Sequence, residues 1–197
     1  MAGAMRVFLA VDLREPLGPA AHAWGRAVAD AIGPGEAAGL SWVPPARIHV
    51  TLHFFGRLDA AAVAAVRSVL GDGAPGPPFD AVLGGGGTFP PRGRPRVLWL
   101  GFAAGGDALA RLHAWIAPRV AGIGQPDRHA VFSPHVTIAR VRRDSGPATG
   151  HALREAAART PPPAGRARIE AITLFESVPG TQGPTYVPLW QVALSED

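Results

Sequence analysis

The tripeptide His-Val-Thr occurs twice in this chain, at 49–51 within HVTLHFFG and at 135–137 within HVTIAR. Both copies sit in short runs of β-branched and apolar residues, so each reads as a strand. Side chains alternate across a strand. His49, Thr51, His53 and Phe55 are therefore expected on one face, and Ile48, Val50, Leu52 and Phe54 on the other. The apolar set is a core face. In the second copy His135 and Thr137 fall opposite Val136 and Ile138. Two strands that each bury one face in a shared core leave their polar faces to line a common cleft.

The remaining pattern predicts an α+β fold. Residues 5–13 alternate, with Val7, Leu9 and Val11 on one face and Arg6, Phe8 and Ala10 on the other. Helices are expected at 19–32, from Asp59 as N-cap with Val63, Val66 and Leu70 in register, from Asp107 as N-cap, and at 150–159. The third carries the apolar stripe Leu109, Leu112, Trp115, Ile116 and Val120. Further strands are expected at 79–83, 95–102, 132–141, 167–175 and 185–194. The Gly/Pro-rich segments 71–78, 84–95 and 160–165 read as loops. GGGGTFPPRGRPR lacks the Gly-Lys-Ser/Thr ending of a phosphate-binding loop, so it is expected to be flexible, with Arg92, Arg94 and Arg96 solvated. This order predicts a single domain over 1–197 built of two pseudo-symmetric lobes. Each lobe holds a mostly antiparallel sheet with outer helices, and the two His-x-Thr strands line the cleft between them.

Composition narrows the chemistry. A chain of 197 residues has room for one substantial core, and 47% apolar content with five Trp predicts a folded protein. Trp42, Trp99, Trp115 and Trp190 are assigned to packing. The absence of Cys excludes disulfides, thiolate metal sites and cysteine nucleophiles. The opening MAGAMRVFLAVDL has its apolar run broken by Asp12, too short for a membrane span and without a signal-peptide cleavage region. A soluble, cytoplasmic protein is expected, with Met5 as an alternative start. All 19 basic residues are Arg, and the net charge is +4. That balance leans toward an anionic partner, because guanidinium groups grip phosphate bidentately. Most of these arginines are expected to be solvated surface.

At about 3.3 Å per residue, His49 and Thr51 stand roughly 6.6 Å apart along their strand, a span one tetrahedral anion bridges. Imidazole is the side chain best suited to give or take a proton near neutral pH. Threonine hydroxyls donate to non-bridging phosphoryl oxygens. A lone strand histidine is more often structural than catalytic, but two in matched settings fit acid/base cleavage of a phosphodiester. The His49 and His53 pair would lie about 13 Å apart on a regular strand, too far to share a metal. No metal is expected, and His53 is left as a groove-lining residue.

With MRVFLAVDL at the start, WVPPARIHVTLHFFG, PRVLWLG at 95–101, FSPHVTIAR, and ITLFESV followed by Tyr186, the chain resembles the 2H phosphoesterase superfamily over nearly its whole length. It is most similar to the bacterial RNA 2′,3′-cyclic phosphodiesterases once called 2′-5′ RNA ligases. The resemblance implies a bilobal fold and opening of 2′,3′-cyclic phosphate RNA ends to 2′-phosphomonoesters, without cofactor or metal. It implies His49 as proton donor to the departing 3′ oxygen and His135 as acceptor from water. Thr51 and Thr137 would hold the phosphoryl oxygens, and Arg140 would neutralise phosphate charge. Strict alternation, however, points Arg140 away from the histidines, so a strand end, a bulge or a long reach is required. Phe54 stands at the equivalent place of the first motif. Phe8 and Phe132 are candidates for nucleobase stacking, with core packing the alternative for both. A monomer without an obligate protein partner is expected. Three rival readings stay open: the reverse joining of RNA ends, action on 2′-5′ oligonucleotides or small cyclic nucleotides, and a nucleotide-binding module without catalysis.

Overall fold

A computed structural model describes residues 3–71, 76–125, 131–181 and 183–195. Its elements run β1 (Met5–Asp12), α1 (Leu17–Ile32), α2 (Pro34–Ala37), β2 (Leu40–Trp42), a 3-10 turn (Pro45–Arg47), β3 (His49–Leu58) and α3 (Ala60–Leu70). They continue with β4 (Phe79–Phe89), β5 (Val97–Ala104), α4 (Gly106–Arg119), β6 (Val136–Val141), α5 (Pro147–Arg159), β7 (Arg166–Ile169), β8 (Ala171–Val178) and β9 (Thr185–Ala193). Among the described residues the strands form two antiparallel sheets, ordered β3-β1-β8-β9 and β2-β6-β5-β4-β7. This is the α+β architecture expected.

The alternation of β1 divides its side chains as the sequence predicts. Val7, Leu9 and Val11 enter the main core, while Phe8 and Ala10 form a small cluster with Phe175 on the opposite face. Helix α1 turns Leu17, Ala21, Trp24 and Val28 inward at helical spacing, and it lies against β6 and α5. Helix α4 lies against both β3 and β5 and so bridges the two sheets. Its Leu109, Leu112 and Ile116 are buried as the stripe predicts. One continuous apolar core therefore joins the two sheets.

Several boundaries depart from expectation. Asp59 caps α3 as predicted, accepting from the Ala62 amide at 2.8 Å. Asp107 does not cap α4: the cap is Gly105, at φ 84°. A side chain at Gly105 would meet the Asp80 carbonyl at 2.6 Å, so close packing on β4 decides the position over capping chemistry. Asp107 lies in the first turn instead, where its charge suits the helix dipole. The strand expected at 167–175 is two strands in different sheets, β7 beside β4 and β8 beside β1, with Glu170 between them. The strand expected at 132–141 begins only at Val136.

The segment 84–95 is half strand. β4 runs on through Gly84, Gly85, Gly86 and Gly87 to Phe89, paired with β5. A Cβ on Gly86 would overlap the indole of Trp24, and one on Gly87 would lie 2.5 Å from Trp99 Cζ2. Here glycine marks close approach of aromatic rings to a strand rather than a flexible loop.

Candidate active site

Two β-bulges aim the site. Against β1, Thr51 pairs with Ala10 and His53 with Leu9, so Leu52 is an extra residue without a partner. The strand's phase reverses there. His53 turns inward at 6% exposure, its ring 4.6 Å from Phe55, and Phe54 emerges into the cleft at 37% exposure. The expectation that His53 lines the groove is thus corrected: strict alternation fails one residue after Thr51. On β6 the same device recurs. Thr137 pairs with Trp99 and Ala139 with Leu98, leaving Ile138 as the extra, buried residue. The reversal returns Arg140 to the face of Thr137, and both line the cleft. A bulge, rather than a strand end or a long reach, resolves the conflict over Arg140. Phe54 and Arg140 occupy equivalent places, each three residues after a threonine and past one bulge.

The two histidines are anchored alike. His49 Nδ1 lies 2.7 Å from the carbonyl of Arg47, and His135 Nδ1 lies 2.7 Å from the carbonyl of Ser133. A carbonyl only accepts, so each Nδ1 carries the proton, and in the neutral ring Nε2 is the unprotonated nitrogen. His49 Nε2 is 3.1 Å from Thr51 Oγ1. Aromatic rings wall both imidazoles. The His49 ring centroid is 5.1 Å from that of Phe8 and 5.1 Å from that of Tyr186. His135 meets Phe89 edge-on at 4.9 Å, and Phe89 in turn stacks on Trp99 at 5.1 Å.

Burial holds the His49 pKa below its ordinary value, because the charged ring loses water. The Arg47 carbonyl and the Asp12 carboxylate, which sits opposite His49 in the sheet, act in the other direction. Positive charge on His135 and Arg140 lowers it further. His135 and Arg140 line the same cleft as His49 and act on it through their charge. Asp12 itself accepts from Arg14 Nε at 2.9 Å.

The cleft encloses about 600 Å³, and His49, Thr51, His135, Thr137 and Arg140 all contribute to its wall. Arg6, Arg47, Tyr186, Ser177 near the end of β8 and Pro184 beyond it complete it. Arg47 Nη1 donates to the Pro184 carbonyl at 3.4 Å, tying the chain beyond β8 to the turn that carries His49. Sequence reasoning assigned no role to Arg6, Arg47 or the 177–184 segment. Only Arg6 carried a signal, by alternation with Phe8. Phe8 borders the cleft but is 4% exposed, so it backs His49 and offers little free face. Phe132 stacks on His113 at 4.2 Å and packs against the core, outside the cleft lining.

The family model described as the 2′-5′ RNA ligase superfamily matches residues 18–181. An RNA 2′,3′-cyclic phosphodiesterase of Aeropyrum pernix is 31% identical over 145 residues, covering 73% of this chain and 80% of that protein. One from Aquifex aeolicus is 36% identical over 103 residues, 51% of this chain and 55% of that protein, so this alignment spans about half of each. The crystal structure of E. coli LigT complexed with 3′-AMP superposes with a TM-score of 0.74 at 25% identity, covering 98% of this chain and 99% of that one. Because the family match runs through both His-x-Thr motifs, the chain belongs to the 2′-5′ RNA ligase superfamily, within the 2H phosphoesterases.

Proposed function

We propose that this protein hydrolyses RNA 2′,3′-cyclic phosphate ends to 2′-phosphomonoesters, with two imidazoles as acid and base. The observation that carries the reading is the matched anchoring of His49 and His135, each held through Nδ1 by a main-chain carbonyl on the wall of one cleft. The names of the relatives support the substrate class.

His135 Nε2 takes a proton from water as the water oxygen bonds to phosphorus. The bond from phosphorus to O3′ breaks, and His49 delivers a proton to that oxygen. The phosphate stays on O2′. Exchange with solvent then restores both rings. Thr51 and Thr137 donate to the non-bridging oxygens, and Arg140 offsets their charge. Burial holds the His49 pKa below its ordinary value, and an anionic phosphodiester in the cleft favours the charged ring that donates. A 5′-hydroxyl in the place of water would join two RNA ends through a 2′-5′ linkage by the same proton transfers.

The test is a short RNA ending in a 2′,3′-cyclic phosphate, incubated with wild type, His49→Ala and His135→Ala, with chelator present throughout. Conversion to a 2′-phosphate by wild type and its loss in both variants is the expected result. Arg140→Ala should lower kcat/KM by about 10- to 100-fold, the weight of a hydrogen bond to a charged group. Folded wild type that leaves the RNA intact, or a chelator-sensitive conversion, would overturn the reading.

A further inference from the structure

The charged side chains that line the cleft besides the histidines are Arg6, Arg47 and Arg140, and among the described residues no carboxylate joins them. A carboxylate stands behind His49 instead. Asp12, the last residue of β1, pairs in register with His49 across the antiparallel sheet. Side chains directly opposite one another share a face, with Cβ atoms about 4.5–5.5 Å apart. Asp12 and His49 also line one small hollow with Arg14, Arg47, Phe175 and Tyr186. Asp12, Arg14 and Phe175 take no part in the cleft wall.

The carboxylate is fixed in place. Arg14 Nε donates to both of its oxygens at 2.9 Å, and the Arg14 amide donates to Oδ1 at 3.1 Å. The Arg14 guanidinium carbon lies 5.9 Å from the ring centroid of Phe175, which stacks on Phe8 at 5.5 Å. Phe8 in turn lies 5.1 Å from the His49 ring, so one set of neighbours holds both the carboxylate and the imidazole.

This placement answers a conflict in the site. His49 is buried, yet it must be charged to protonate a departing oxygen, and the cations on the cleft side, His135 and Arg140, favour its neutral form. Tyr186 meets the ring edge-on at 5.1 Å, and the Arg47 guanidinium is turned to the Pro184 carbonyl. A carboxylate on the cleft side would favour the charged ring but repel a phosphate. Behind the ring, Asp12 favours the imidazolium without meeting the anion.

We infer that Asp12, held by Arg14, is a positioning residue for the reaction, which supports the charged form of His49 from behind so that the ring acts as the acid. This rests on the proposed reaction, in which His49 protonates O3′.

The experiment follows the His49 imidazole by NMR titration in ligand-free wild type, Asp12→Asn and Asp12→Glu, alongside kcat for a cyclic-phosphate RNA at neutral pH. Asparagine keeps the size of the side chain and removes its charge, so His49 should titrate lower than in wild type. The kcat of Asp12→Asn should fall about 10-fold, the low end for an opposite charge at this range, because the carboxylate is 31% exposed and shared with Arg14. Asp12→Glu keeps the charge and should restore part of both effects. An unmoved His49 titration in Asp12→Asn overturns the inference whatever the rate does, because a residue that only braces the strand would slow the reaction without moving the ring's proton affinity. A lowered titration with wild-type kcat overturns it too. The titration needs no turnover: a lowered His49 pKa in Asp12→Asn, beside a wild type that leaves the RNA intact, would sink the hydrolytic reading and keep the pairing of Asp12 with His49.

Discussion

The glycine run of β4 should give three different outcomes to one kind of substitution. None of Gly85, Gly86 and Gly87 has positive φ, so alanine fits the backbone at each. Gly85 has nothing within 4 Å of a built Cβ. Gly85→Ala should be neutral or stabilise by up to about 1 kcal/mol, by restricting the unfolded chain. At Gly86 the added methyl overlaps Trp24, a core residue at 3% exposure with no room to yield. Overpacking of this kind costs about 1–3 kcal/mol, less the unfolded-state gain. A net loss of about 1–2 kcal/mol lowers Tm by about 2–8 °C in a protein of this size. At Gly87 the obstacle is Trp99, which is half-buried and able to slide. Trp99 backs Phe89, and Phe89 walls His135. Gly87→Ala should therefore spare Tm more than Gly86→Ala while lowering turnover of a cyclic-phosphate RNA by about 10- to 100-fold, the order that a displacement of about 1 Å produces. Denaturant and thermal unfolding read the first effect, and single-turnover kinetics the second. Equal melting of Gly85→Ala and Gly86→Ala would refute the packing account. Wild-type turnover by Gly87→Ala would refute the claim that the Phe89 wall positions His135.

Two further outcomes follow from the site. His49 should titrate below 6.5 in imidazole NMR of the ligand-free protein, and inorganic phosphate in the cleft should raise it. Because the folded ring resists a proton that the unfolded chain accepts, unfolding free energy should fall as pH drops from about 6.5 toward that lowered value. A pH slope that is the same in His49→Gln would contradict this. His53→Phe keeps an aromatic partner for Phe55 and should leave turnover near the wild-type rate, with its effect confined to stability. A loss matching that of His49→Ala would put His53 back in the chemistry.

Much of this arrangement was legible in the sequence, and the exceptions share a cause. The core faces of β1 and α4 followed from spacing alone, since burial of a regular strand or helix depends on period. The pairing of His49 with Thr51 and of His135 with Thr137 on the cleft side also followed. His53 and Arg140 did not obey, because a bulge is set by the partner strand's register, which one strand's pattern does not contain. The glycines of β4 read as a loop because their partners, Trp24 and Trp99, come from other elements. For the same reason the sheet change at Glu170 was invisible in a stretch that reads as one strand. Asp12 and His49 stand far apart in the chain and meet only through strand pairing.

The order β3-β1-β8-β9 also bears on how the molecule comes into being. During synthesis β1 and β3 leave the ribosome long before β8 and β9 exist, so one long edge of β1 waits without a hydrogen-bonding partner. Tyr186, which closes the wall of His49, arrives with the last strand. Such non-local pairing slows folding and leaves an adhesive strand edge in every unfinished chain. Competence for chemistry at His49 is therefore a late event, reached only when the final hairpin docks.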